Sequence, residues 1–139
     1  MKKYVKMKFT ASIENVTFAR GTVASFLVDE ELTLNEMNEI KTIVSEAVTN
    51  AIVHGYLEDS NKEVELDMEL EDKLLTLCIK DKGVGIEDIY KAREPLFSTK
   101  IESERAGLGF TIMEIFSDEL KVDSELGCGT TVTSKKRLK

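Results

Sequence analysis

Proline occurs once, histidine once and cysteine twice in 139 residues, and no apolar run approaches the roughly 20 residues that a membrane-spanning helix needs. With one proline, no repeat and no low-complexity stretch there is no linker, so residues 1–139 read most economically as one domain, long enough to bury a substantial core. Cys78 and Cys128 stand far apart, without CxxC spacing and without a histidine cluster, which points away from zinc and redox chemistry. They read as structural thiols in a reducing compartment. The N-terminal "MKKYVKMKFTAS" has lysines but no apolar stretch long enough for a secretory signal, so a cytoplasmic location is expected. Positive charge is in short supply as well. Twenty-six acidic against 19 basic residues give a net charge of −7, and neither nucleic acid nor an anionic membrane attracts such a surface. The basic C-terminal "SKKRLK" is the exception, and it reads as a solvated terminus.

What is present is periodic. Val5, Met7 and Phe9 alternate with lysines, as in a strand with one buried face. A helix over residues 15–28 follows, with Val16, Ala19, Val23, Phe26 and Leu27 as its inner stripe. A second helix opens at "TLNE", where Thr33 and Glu36 have the spacing of a capping box. Met37, Ile40, Val44, Ala47, Val48 and Ala51 continue one face, and Gly55 supplies a C-terminal stop. The period then changes to two. In "KEVELDMEL", Val64, Leu66, Met68 and Leu70 point one way and Glu63, Glu65, Asp67 and Glu69 the other. "EDK" turns the chain, and "LLTLCIKD" returns as a more apolar strand. An acidic outer face predicts that helices cover only the opposite side, giving a two-layer α/β sandwich with a mixed sheet and helices on one face. A helix over about residues 109–116, a strand "ELKVDSE", a turn at "GCGT" and a last strand "TVTSKK" complete the chain.

Three stretches offer chemistry. In "SEAVTNAIVHG", Glu46 and Asn50 sit four residues apart beside the buried stripe, so a carboxylate and an amide leave the same helix face. Hard oxygen donors of this kind suit Mg²⁺, which takes its remaining contacts from waters and phosphates; the same spacing also serves an exposed polar face. In "DKGVG", Asp81 ends an apolar strand, where a carboxylate can accept from an exocyclic amine such as that of adenine and disfavours the guanine carbonyl. Gly83 and Gly85 leave room for backbone to approach a flat ring, although Asp and Gly also make ordinary turns. In "ERAGLGF", Gly107 and Gly109 precede an apolar helix whose N-terminus can hold phosphate, yet no Walker A or Rossmann spacing is present. The polar, irregular "EPLFSTKIESER" between the second and third stretches suits a lid, from which Arg105 could reach a terminal phosphate.

Taken in order, an E-x-x-x-N helix, a hairpin, D-x-G-x-G, a loop and G-x-G-[FY] before a helix resemble the ATPases and kinases of the Bergerat (GHKL) fold. "ARGTVASF", "IKTIVSEAVTNAIVHGY", "EPLFSTK" and "GLGFTIME" are similar, as near-complete phrases, to the small bacterial anti-sigma factor kinases, the sporulation anti-sigma F factors in particular. The departures are Lys82, where an acid is usual, and Leu108, where methionine is common. The resemblance implies an ATP- and Mg²⁺-dependent protein-serine kinase, with ADP as product. It further implies that the chain binds and inhibits a sigma factor, phosphorylates a serine of an anti-anti-sigma partner and forms a homodimer. Carried onto this chain, it makes Glu46 the base or hydroxyl-orienting carboxylate and Asn50 the Mg²⁺ ligand. Asp81 becomes the adenine reader, with Thr130 holding a bridging water and Gly83 and Gly85 against the ring. Gly107 and Gly109 shape the phosphate end, Arg105 belongs to the lid, and Arg20 lies on the partner surface. A histidine kinase would need an acceptor histidine on an upstream dimerisation helix. The one histidine, His54, lies beside Gly55 and reads as structural. A related general-stress anti-sigma kinase and a non-catalytic, ATP-gated binding module are the alternative readings.

Overall fold

The computed structural model describes residues 2–93 and 108–139. Five strands, β1 (Lys2–Thr10), β2 (Glu63–Glu71), β3 (Leu74–Asp81), β4 (Glu119–Glu125) and β5 (Gly129–Arg137), form one sheet in the order β1-β2-β3-β5-β4. Period-two patterning decides which face is covered. Val64, Leu66, Met68 and Leu70 of β2 are buried, and so are Leu75, Leu77, Ile79 and Asp81 at every second position of β3. On the other face, acids of β2 meet lysines of both neighbours: Glu69 with Lys2 at 3.1 Å, Glu65 with Lys8 at 3.4 Å and Asp67 with Lys80 at 3.3 Å. Exposed pairs of this kind contribute about 0–1 kcal/mol each, whereas burying one aliphatic side chain contributes about 1.5–3 kcal/mol, so the inner face holds the sheet together.

Every strand pairing is antiparallel, which corrects the expectation of a mixed sheet. Strands β3 and β4 do run in the same direction. However, β5 folds back from β4 and inserts between them, so no parallel pair forms. The β2–β3 hairpin turns on Asp72 (φ 50°) and Lys73 (φ 67°), the two left-handed residues of a tight turn whose twist matches that of the strands.

The helical layer is α1 (Asn15–Phe26), α2 (Leu34–Asn50), a short α3 (Ile89–Ala92) that the sequence pattern did not predict, and α4 (Gly109–Phe116). Helices α1 and α4 both pack on α2, whose Ile40, Ile43, Val44, Ala47 and Val48 join the sheet's inner residues in one cluster. The capping box forms as the spacing predicts. Thr33 Oγ1 accepts the Glu36 N–H at 3.0 Å and Glu36 Oε1 accepts the Thr33 N–H at 3.1 Å, an arrangement worth about 1 kcal/mol.

Two other expectations change. The basic C-terminus is not a solvated tail: β5 runs through Arg137, and Leu138 is 4% exposed and donates its N–H to Lys73 O at 2.7 Å. Lys136 Nζ donates to Phe116 O at 2.7 Å, and the Lys139 N–H to Glu36 Oε2 at 3.3 Å. Nor is Gly55 a left-handed stop. After Asn50 the helix widens into a π turn (Ala51–Gly55), with the Tyr56 N–H reaching back to Ala51 O at 2.9 Å, and the chain reverses at Leu57 (φ 53°) and Glu58 (φ 64°).

Candidate active site

Glu46 and Asn50 lie on the last turns of α2, Glu46 buried at 6% exposure and Asn50 half-buried. A helix needing only a core face would carry apolar residues there, because a carboxylate loses hydration on burial. The start of α4 meets this face directly. A β-carbon on Gly109 would stand 3.2 Å from both Glu46 Oε2 and Asn50 Nδ2, so any side chain at Gly109 would press on the pair. Carboxylate, amide and helix N-terminus therefore converge, a combination suited to phosphate and a hard cation.

One π turn further on, the backbone meets Asp81. The Gly55 carbonyl accepts the Val84 N–H at 2.9 Å, docking the 81–85 loop onto the turn. A β-carbon on Gly55 would fall 2.7 Å from Asp81 Oδ1, and one on Gly83 would fall 2.1 Å from Gly55 O. Glycine at 83 permits the approach of backbone on backbone, and glycine at 55 leaves room for the Asp81 carboxylate. Asp81 Oδ1 accepts the Gly83 N–H at 2.9 Å. Burial pushes the Asp81 carboxyl above its ordinary value, opposed by the backbone donors of Gly83 and Thr130. Gly85 takes a left-handed φ of 78°, and the loop just before it is tied to the β4–β5 turn by Gly127 N–H to Val84 O at 2.7 Å.

This geometry has known counterparts. Residues 9–136 match the histidine kinase-like ATPase domain family. Anti-sigma F factors of Shouchella clausii, Geobacillus kaustophilus and Bacillus subtilis are 54%, 52% and 49% identical over 138 residues, 99% of this chain and 94% of each relative. The chain belongs to the anti-sigma F factor family. A solved structure of the RsbU and RsbW domains of a Mycobacterium tuberculosis protein has a TM-score of 0.69 to this chain, covering 98% of it and 32% of the longer protein. At 21% identity that likeness shows the shared fold. The matched residues 9–136 include both groups, around Glu46 and around Asp81.

Of the residues singled out from the sequence, Glu46, Asn50 and Gly109 form one group, and Asp81, Gly83, Gly85 and Thr130 form another, joined by the π turn. Arg20 belongs to neither: its Nη1 donates to Ser45 Oγ at 2.7 Å, and Ser45 points about 100° around α2 from Glu46. Arg105, Gly107 and the "EPLFSTK" segment lie outside the described residues. Half-buried His54 lies within the π turn. Among the described residues no helix is long and apolar enough to cross a membrane.

Sequence reasoning missed three contributors. Gly55 looked like a helix stop, yet its place in the structure is against Asp81. Tyr56, next to it, accepts the Lys82 N–H and donates to Glu63 O, both at 2.7 Å, and burial pushes its phenol up. Ser124 follows Leu120 and Val122 on the covered side of β4, so the signal was a polar residue closing an apolar stripe. A concavity of about 740 Å³ touches Tyr56, Asp81, Ser124 and Thr130, but it extends over the outer sheet face to Lys8 and Glu65 and does not reach Glu46 or Asn50. It overlaps the site at the Asp81 end only.

Proposed function

We propose that this protein is an ATP- and Mg²⁺-dependent protein-serine kinase that also binds and inhibits a sigma factor. The observation that carries the reading is the meeting of Glu46, Asn50 and Gly109 one π turn away from the Asp81 pocket. Phosphoryl transfer needs placement and charge neutralisation more than covalent help, and in this reading one group serves the phosphates and the other the base.

In this reading the Asp81 carboxylate accepts from the adenine amine, Thr130 holds a bridging water, and Gly83 and Gly85 leave the ring in contact with backbone. Gly107, Gly109 and the N-terminus of α4 receive the phosphates, with Arg105 closing from the lid. Asn50 offers its amide oxygen to Mg²⁺, beside the Glu46 carboxylate. Mg²⁺, when bound, supplies charge neutralisation along the phosphates. Few protein ligands are what that ion favours, and among the described residues no group of three or more His, Cys, Asp or Glu side chains suggests another metal. Glu46 orients the incoming serine hydroxyl and takes its proton. The serine oxygen then bonds to the γ-phosphorus as the bond to the bridging oxygen breaks and ADP leaves. A positioned base of this kind contributes about 10²–10⁴ in rate. The curated relatives are named anti-sigma F factors, which supports a sigma factor as partner. A serine on an anti-anti-sigma protein is the proposed acceptor, the assembly a homodimer, and Arg20 on α1 the proposed partner contact.

A single-turnover assay with labelled ATP, Mg²⁺ and the serine-bearing partner tests the reading. Label should move to the partner's serine. Glu46→Gln should lower that transfer about 10³-fold while ATP affinity stays near normal. Label confined to ATP or free phosphate would leave a nucleotide-gated binding module instead. Equal loss of binding and transfer would make Glu46 structural.

A further inference from the structure

We infer that Tyr56 is a positioning residue for Asp81: its hydroxyl is a spacer set into the end of the β2–β3 ladder, and it turns the 81–85 loop toward the π turn. The inference rests on the reading of Asp81 as a nucleotide contact. The β2–β3 ladder keeps one register from Glu71–Leu74 to Glu65–Lys80 and stops there, although β2 itself begins at Glu63. Two residues further in that register, Lys82 would face Glu63. Tyr56 Oη lies between their backbone groups, accepting the Lys82 N–H and donating to Glu63 O, both at 2.7 Å.

The direction of both bonds is fixed by the partners, because the amide can only donate and the carbonyl can only accept. Two bonds in series, meeting at a hydroxyl, hold the Lys82 nitrogen and the Glu63 oxygen farther apart than the ~2.9 Å of a direct ladder bond. Strand β3 therefore parts from β2 after Lys80, while Asp81 keeps its partner Thr130 on β5. The chain then bends to where the Val84 N–H meets Gly55 O. Tyr56 emerges from the π turn itself, its own N–H bonded to Ala51 O, and the residue is 8% exposed. One side chain thus links the turn on which the loop docks to the peptide that follows Asp81. The next two amides are both held, Lys82 by Tyr56 and Gly83 by Asp81 Oδ1, so the carboxylate and the backbone that aims it are set together.

Tyr56→Phe keeps the ring and removes the spacer. Lys82 N–H and Glu63 O then either stay apart without their partner or close into a direct bond. The first loosens the peptide beside Asp81, and the second draws that peptide onto β2 and away from the π turn. Asp81 loses its placement in both cases.

Calorimetry of the full chain with ADP tests this on wild type, Tyr56→Phe, Asp81→Asn and the double variant. Tyr56→Phe should weaken ADP binding about tenfold in the wild-type background. Where Asp81 is already asparagine the same change should cost no more than about twofold, since a residue acting through Asp81 has nothing left to place. Equal losses in both backgrounds, the result for a residue that only stabilises the fold, overturn the inference, and so does no loss in either. Hydrogen exchange gives a signature that needs no variant. The Lys82 amide, although the residue is exposed, should exchange roughly a hundredfold or more slowly than a free amide. Exchange at the free rate overturns the inference even where Tyr56→Phe does not fold. An Asp81→Asn chain that binds ADP as tightly as wild type would overturn the nucleotide reading of Asp81 itself, a result distinct from equal losses, which remove only the role of Tyr56.

Discussion

The two ends of α2 are built by opposite rules. At its N-terminus Thr33 and Glu36 satisfy each other's backbone groups in a capping box, and the Lys139 N–H adds a third bond to Glu36. At its C-terminus the helix buries a carboxylate, widens into a π turn and brings two glycine backbones within reach of another carboxylate. The first end follows local preference and contributes stability. The second departs from local preference at each step, and π turns of this kind concentrate where function is. The comparison teaches that one helix serves as both anchor and instrument, with Ile40, Ile43 and Val44 packing the stretch between.

The largest effect should come from breaking the instrument end. Gly83→Ala places a methyl 2.1 Å from Gly55 O, where neither backbone can yield cheaply, so nucleotide affinity measured by calorimetry should fall by roughly a hundredfold or more. Affinity within a few-fold of wild type would show that the 81–85 loop is not part of the site. Asp81→Asn comes next. Removing the carboxylate acceptor should weaken ADP binding about tenfold. Its effect on stability should have an unusual sign. Because burial raises the Asp81 carboxyl, its contribution to the fold is full below the ordinary carboxylate value and is lost as pH rises through the raised one. At neutral pH the asparagine variant should therefore melt no lower than wild type; a clearly lower melting point would contradict that balance.

At the anchor end the effects are smaller and fall on stability alone. Thr33→Ala should cost about 1 kcal/mol, a few degrees in melting temperature, with ADP affinity unchanged. A change in ADP affinity would mean that the two ends are coupled. The smallest effect is the pH dependence of Glu36. The Thr33 backbone N–H, more than any other group, holds the Glu36 carboxyl below its ordinary value. Its contribution is thus present above the ordinary carboxylate range and lost as pH falls through the lowered one. The stability gap between wild type and Glu36→Gln, followed by denaturant titration, should close on acidification; a gap that widens would refute the assignment.

The same contrast explains what was legible in the sequence. The capping box, the inner stripe of α2, both hairpin strands and α4 follow from spacing, because each depends on residues near one another in the chain. Glu46, Asn50 and Asp81 were visible as polar residues at the edges of apolar patterns. The π turn was not, because nothing in "AIVHG" distinguishes a five-residue turn from the tail of an α-helix. Gly55 was misread for a related reason: a glycine after a helix suggests a left-handed cap, and only the approach of β3 shows that what matters is the missing side chain. The antiparallel insertion of β5 and the burial of Leu138 depend on contacts between distant parts of the chain, which periodicity does not encode.

Strand β3 carries one more consequence. Asp81 faces the pocket because it falls in step with Leu75, Leu77 and Ile79, and that step is set at the other end of the strand by the left-handed pair Asp72 and Lys73. Over eight residues, at about 3.3 Å each, the turn lies about 25 Å from the carboxylate proposed to read the base. One residue gained or lost in that hairpin would bring Lys80 or Lys82, respectively, into the place of Asp81 and exchange an anion for a cation. The hairpin thus works as a distant ruler: under the proposed adenine reading, base selectivity would be lost by a change in the counting of residues far from the site.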